Sequence, residues 1–303
     1  MRIVEIGHTG VGKTTYMATL YGILQEGIEG FSLKAQNSSD HERLIELAKN
    51  ISQGIYPSAT DQRREYNFYL QYENKNIFSF TWADYRGGAI RETQDNEQTK
   101  LLIGDLHQAD GIMVFCDGNA LASGDIRSNQ IGRMTALINR TLPYINRPIS
   151  LAIIFTKADL VTKFTESMLE SFQGLLTAIE ASPSISGCIL PITCGIKSHN
   201  VEKPLLFALQ VAVNLQLKYL EKEIAEHEKM AKYYQDKSYS FRGLLHDIWK
   251  RIIEEPTYSD ISNAKYQEVY KKRQEYEPII LPVRALNTHI ERHDYLWICQ
   301  KNK

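Results

Sequence analysis

Four cysteines are few for a chain of 303 residues. Cys116, Cys188, Cys194 and Cys299 are scattered, with no C-x-x-C pair and no histidine at metal-ligand spacing. That pattern excludes a disulfide framework and a zinc-ribbon site. Cys116 and Cys188 lie in apolar runs, where a thiol behaves as a small buried hydrophobe. A reducing cytoplasm is the expected compartment. Long hydrophobic runs are also missing: nothing approaches the roughly 20 apolar residues that cross a bilayer, so no transmembrane segment is expected. Neither charge sign dominates, with 35 Lys+Arg against 36 Asp+Glu. That balance argues against a chain-wide affinity for nucleic acid or for an anionic membrane. The cluster Lys271-Lys272-Arg273 reads as a solvated helix face. No signal peptide is expected, because Met1 to Ile6 reads directly as a strand. Position 2 is not glycine, which excludes N-myristoylation, and Cys299 stands one residue too early for a prenylation box.

What is present is a hydrophobic content of 43%, enough for a sizeable core. Strand-like runs alternate with helix-like segments to about residue 235, the signature of an α/β domain with a mainly parallel sheet. Six strands are expected: 3–6, 65–72, 76–83, 111–116, 149–155 and 188–192, the second and third forming a hairpin across Glu73-Asn74-Lys75. Helices are expected at 13–25, at 39–51 with Ser39 as N-cap, and near 95–109, 126–142 and 164–181. A long helix from about Pro204 to 235 carries an a/d pattern at Val213, Leu217, Leu220, Ile224, His227, Ala231 and Tyr234, suited to packing on its own domain or to a coiled coil. Residues 236–303 form an aromatic-rich helical extension, with short helices near 241–254 and 262–276. The expected domains are therefore 1–235 and 236–303.

Gly7-His8-Thr9-Gly10-Val11-Gly12-Lys13-Thr14 matches GxxxxGK[ST] between a strand and a helix. Glycines let the backbone N–H groups of Thr9, Gly10, Val11 and Gly12 turn toward phosphate oxygens, and the helix N-terminus through Thr15 adds its dipole. Lys13 is expected to reach the β- and γ-phosphates, and the Thr14 hydroxyl to ligate Mg²⁺. The loop alone does not distinguish ATP from GTP.

The choice rests on Thr156-Lys157-Ala158-Asp159, after the apolar run Leu151 to Phe155. Guanine offers two adjacent donors that one carboxylate can accept, so Asp159 is the expected base reader. Here the sequence resembles the Ras-like P-loop GTPases of the TRAFAC class, whose guanine motif is [NT]KxD. The resemblance implies that Lys157 lies along the purine face and that Thr156 ties this loop to the phosphate loop. It implies Mg²⁺ held through water by Asp84 of Asp84-Tyr85-Arg86-Gly87, a DxxG element whose Gly87 N–H senses the γ-phosphate. It assigns Thr60 as the switch-one threonine on Mg²⁺ and γ-phosphate, and Thr193-Cys194-Gly195 as the loop whose backbone bonds the guanine oxygen. These elements span residues 7–195.

Two departures follow. Where Ras-like proteins carry a water-orienting Gln after DxxG, this chain has Gly88. Arg86 is the charge-stabilising candidate, with Arg63, Arg64, Arg91 and Glu92 nearby. The stretch from Lys13 to Thr60 is also long and holds an inserted helix before Pro57-Ser58-Ala59-Thr60, a pattern that resembles bacterial double-GTPase-type and related TRAFAC proteins. The expected function is a GTP/GDP switch with slow, partner-stimulated hydrolysis, a protein effector, no nucleic-acid partner, and self-association as an open option. The alternatives are a non-hydrolysing GTP-binding scaffold, whose C-terminal helices bind a protein, and a P-loop kinase or ATPase.

Overall fold

The computed structural model describes residues 1–58, 63–85, 97–291 and 295–299. In chain order the elements are β1 Arg2–Gly7, α1 Lys13–Glu26, β2 Phe31–Ala35, α2 Ser38–Ser52, β3 Arg64–Tyr72, β4 Lys75–Asp84, α3 Glu97–Gln108, β5 Gly111–Asp117, α4 Gly118–Ala122, α5 Ile131–Thr141, β6 Ile149–Thr156, α6 Glu166–Glu170, α7 Gln173–Ala181, β7 Ile185–Pro191, α8 Lys203–Tyr239, α9 Phe241–Ile252, α10 Tyr258–Glu291 and β8 Trp297–Cys299.

Among the described residues the sheet has eight strands, in the order β2-β3-β4-β1-β5-β6-β7-β8. The α/β class and the mainly parallel centre agree with the sequence reading, but the expected count of six was short by β2 and β8. Both are edge strands. β2 carries a five-residue alternation, Phe31-Ser32-Leu33-Lys34-Ala35, that the sequence reading passed over, whereas the three residues of β8 are too few for one. The central pairs β4-β1, β1-β5, β5-β6 and β6-β7 are parallel. Every residue of β6 is buried, as expected where helices cover both faces of a parallel sheet. β3 instead alternates buried Tyr66, Phe68 and Leu70 with more exposed neighbours. Its hairpin to β4 turns at Glu73 and Asn74, both at positive φ, the geometry that matches strand twist.

On one face, Leu102 and Leu106 of α3, Met134 and Ile138 of α5, and Ile179 of α7 pack with Ile6, Val114 and Ile153. On the other, α1 sets Tyr16 against Phe115, with ring centroids 5.0 Å apart. The first turns of α8 join this layer: the Leu205 N–H donates to Tyr16 Oη at 3.2 Å, and Ser150 Oγ donates to the Ala208 carbonyl at 2.5 Å. The inserted helix α2 lies close to α1, where a Cβ on Gly22 would stand 2.8 Å from Ala48 Cβ. Its N-cap is Asn37, accepting from the Ser39 N–H at 2.9 Å, and not Ser39 itself. The segment expected as one helix over 164–181 is two, interrupted at Ser171 and Phe172, and the helix expected from 126 begins at Ile131.

The chain divides into two compact units, residues 1–212 with 286–303, and residues 213–285. This boundary lies earlier than 235, and the last segment returns to the first unit as β8. Within the second unit, α8 and α10 run antiparallel, joined by Arg273–Glu228 at 2.6 Å, Tyr276–Glu221 at 2.7 Å and Ser262 Oγ to the Ala231 carbonyl at 2.9 Å. The a/d residues Leu220, Ile224 and Ala231 are buried. Helix α10 continues past 276 through Pro278 and Pro282. Each internal proline costs about 3 kcal/mol. Burial of Ile279, Val283, Leu286 and Ile290 at roughly 1.5–3 kcal/mol each offsets that.

Candidate functional site

Where β1 ends, the backbone turns in a space that side chains would fill. A Cβ on Gly7 would stand 2.8 Å from the Phe115 carbonyl oxygen. Gly10 and Gly12 hold φ of +83° and +97°, in the left-handed region that penalises residues with a Cβ. Helix α1 starts from Gly12 with no side-chain cap, which suits an anion at its N-terminus. Lys13 is buried, and its Nζ donates to the Gly7 carbonyl at 2.9 Å. Burial lowers its pKa, and the neighbouring Glu5 and Asp84 carboxyls oppose that shift.

The end of β6 reaches this loop directly. The Thr156 hydroxyl donates to the Val11 carbonyl at 2.7 Å and is shared with the Cys116 carbonyl at 3.1 Å. Lys157 follows at φ +54°, and its Nζ pairs with Asp117 Oδ2 at 2.5 Å. Asp117 also caps α4, accepting from the Ala120 N–H at 3.0 Å. Asn129, fully buried, clamps the Asp117 backbone: its Oδ1 accepts from the Asp117 N–H at 2.6 Å and its Nδ2 donates to the Asp117 carbonyl at 3.1 Å. The Ala158 N–H donates to the Ile192 carbonyl at 3.1 Å, tying this loop to the end of β7.

These segments enclose a cleft of about 550 Å³. Thr9, Gly10, Gly12, Lys13, Thr14 and Thr15 line one end, and Thr156, Lys157, Asp159, Leu160 and Cys194 the other. Tyr56, Pro57 and Ser58 form a third wall. Gly7 and Val11 stand behind the lining through the bonds above. Thr193 bridges to His199 with two 3.0 Å backbone hydrogen bonds, and Gly195 packs under Tyr56, whose Oη would stand 2.7 Å from a Cβ there. Burial pushes the Cys194 thiol up to about 12.

A phosphate loop and a TKxD loop, joined by a hydrogen bond and opening into one cleft, accompany a sequence match over residues 2–184 to Double-GTPase 2. The chain belongs to the double-GTPase 2 family. It is thus a P-loop chain of GTPase type, for which guanine-nucleotide binding is the family property. No curated protein matches it by sequence. Among solved structures, it is similar to nucleolar GTP-binding protein 1 of Plasmodium falciparum, at 14% identity and TM-score 0.42, covering 74% of this chain and 92% of that one. It is also similar to the S. cerevisiae Ski7 GTPase-like domain bound to GTP, at 18% identity and TM-score 0.42, covering 66% of this chain and 44% of that one.

In this double-GTPase 2 chain the sequence reading missed Tyr56, Asp117, Asn129 and Glu5. Glu5 carries the one visible signal, an acid inside the apolar strand β1. It is fully buried beside Asp84, its partner in strand register. Burial raises its pKa well above the usual carboxylate range, and Asp84 adds to the shift. Both Glu5 carboxyl oxygens are buried with no hydrogen-bond partner among the described residues, an environment that disfavours the charged form.

Asp84 Oδ1 is buried and has no hydrogen-bond partner among the described residues. With the Thr14 hydroxyl at the cleft, this oxygen fits a hard cation such as Mg²⁺, which takes one or two carboxylates and completes its shell with phosphate and water. Among the described residues no cluster of three or more His, Cys, Asp or Glu offers an all-protein cage. Thr60, Arg86, Gly87, Gly88, Arg91 and Glu92 lie outside the described residues. Arg63 pairs with Asp105 and Glu65, each at 2.7 Å, and Arg64 opens β3 opposite Asp84.

Proposed function

We propose that this chain is a GTP-operated switch that hydrolyses GTP to GDP and phosphate, slowly unless a partner assists. The observation that carries this reading is the Thr156–Val11 hydrogen bond. It couples the phosphate loop to the loop bearing Asp159, so one ligand can engage both ends of the cleft. Asp159 accepts the two guanine donors, Lys157 lies along the base with its head held by Asp117, and the Cys194 backbone N–H meets the base oxygen. Tyr56 and Leu160 supply apolar surface beside the base.

At the other end Lys13 leaves the Gly7 carbonyl for the phosphates and stabilises charge on the transferring group. Thr14 and Asp84 would hold Mg²⁺, with Thr60 completing the set. The ion supplies charge neutralisation on the phosphate oxygens. Gly88 cannot orient the attacking water with a side chain, which is why the reading includes slow turnover and a stimulating partner. Loops around Thr60 and Gly87 would order with the γ-phosphate and pass that state to a protein effector.

Calorimetric titration with GTP, GDP and ATP in Mg²⁺, followed by phosphate release on the same sample, tests this. GTP and GDP should bind far more tightly than ATP, with measurable turnover. GTP binding without turnover, alone or with cell extract, supports the scaffold reading. Preference for ATP overturns the guanine assignment.

A further inference from the structure

Helix α9 has inverted polarity. A surface helix normally turns its apolar stripe inward and its polar face to water. In α9, Phe241, Leu244, Leu245, Ile248, Trp249 and Ile252 share one face by helical spacing. All six are exposed, from 53% at Leu244 to 77% at Phe241. The opposite face has the partners within the second unit. Gly243 is buried so closely that a Cβ would stand 1.7 Å from the Lys237 carbonyl oxygen. The His246 ring stacks on Tyr258 with centroids 4.1 Å apart. Asp247 accepts from the Tyr258 N–H at 2.8 Å. Ser240 caps the helix through the Gly243 N–H at 3.0 Å. The polar face is therefore the docked one, and the apolar face is presented outward by design of the sequence.

The charges follow the same plan. Arg242 and Arg251 are exposed and flank the stripe on opposite sides. Asp247, the acid of this helix, is engaged inward, and Lys250 pairs with Glu255. A second copy docked antiparallel on this face would set two Arg242 side chains along one edge of the contact and two Arg251 side chains along the other, with no acid of the helix to receive them. The fitting surface is apolar at depth and anionic at its rim. We propose that α9 lies in the interface of an anionic phospholipid bilayer, with the Phe241–Ile252 stripe among the acyl chains and Arg242 and Arg251 at the headgroup phosphates. No described helix is long and apolar enough to cross a membrane, so the attachment is peripheral. It is independent of the nucleotide cleft.

The test uses the full chain with sedimented vesicles of phosphatidylcholine, alone or mixed with phosphatidylglycerol. The wild type should sediment with anionic vesicles, weakly with neutral ones, and less as salt rises. Its tryptophan emission should shift to the blue, a shift absent in Trp249→Phe. Leu245→Asp and Ile248→Asp should each lower binding by about tenfold or more, and Arg242→Ala or Arg251→Ala by roughly fivefold. These side chains face solvent, so circular dichroism and melting should match the wild type. Absence of wild-type sedimentation, or binding indifferent to Ile248→Asp, overturns the proposal. So does a concentration-dependent dimer that Ile248→Asp dissolves while vesicles bind nothing; that result assigns the stripe to a second copy.

Discussion

The Thr156 hydroxyl donates to the Val11 carbonyl at 2.7 Å across 145 residues of sequence. This bond joins the phosphate loop to the loop that carries Asp159. Thr156→Val keeps the shape of the side chain and removes the donor to the Val11 carbonyl. At roughly 1–3 kcal/mol for such a loss, GDP affinity should fall about tenfold or more by calorimetry. An unchanged affinity would show that the two ends of the cleft hold their places without it.

Asp159→Asn replaces an acceptor of two hydrogen bonds by a group that both accepts and donates. GTP binding should weaken, and binding of xanthosine triphosphate, whose base has an oxygen where guanine has an amine, should improve. Competition between the two nucleotides on wild type and variant reads the exchange. Retention of full GTP affinity would remove Asp159 from the base.

Asp117 holds Lys157 and caps α4 at the same time. Asp117→Ala should therefore lower the melting temperature, with about 1 kcal/mol attributable to the lost cap, and should also speed nucleotide dissociation. Asp117→Asn keeps a capping oxygen and loses the ion pair. It should leave the melting temperature nearer to wild type while still speeding dissociation, which separates the two roles by stopped-flow and thermal melts.

Glu5 gives a pH signature in nucleotide-free protein with chelator present. Its folded pKa lies above the ordinary 4.5 because of burial and Asp84. Below 4.5 both folded and unfolded chains carry the proton, and the shift costs nothing. As pH rises through that value the unfolded chain ionises while the folded one keeps its proton, so stability declines until the folded pKa is passed. Glu5→Gln removes this term. Its advantage in chemical denaturation should be small near pH 4 and grow toward neutrality; a constant difference across that range would assign the effect to packing.

Cys194 is expected to act through its backbone. Cys194→Ala should bind GTP like the wild type, whereas Cys194→Pro, which has no N–H, should bind it weakly. With its thiol pushed up to about 12 by burial, Cys194 should also resist iodoacetamide near neutral pH, as read by peptide mass spectrometry.

Much of this site is legible in short segments. The strands ending at Gly7, Asp117 and Thr156 are runs of buried residues, and the glycines at 10 and 12 announce a turn that other residues resist. β2 was legible as well, since buried Phe31, Leu33 and Ala35 alternate with Ser32 and Lys34, but the sequence reading passed over it. The capping of α2 by Asn37 and the break between α6 and α7 depend on one or two residues each, below the resolution of pattern reading. Asn129 could not be assigned from sequence, because its work is to clamp a backbone twelve residues away.

What the sequence by itself determined is local: where the backbone can take positive φ, where N–H groups lie open to an anion, and which runs can be buried on both faces. Those properties reside in a few bonded neighbours. The tertiary structure alone decided that Glu5 and Asp84 share a buried strand register, that Lys157 meets Asp117, that α10 continues through two prolines, and that α9 docks by its polar face. Each of these depends on burial and pairing between residues far apart in the chain, and such energies exist only once the chain has folded.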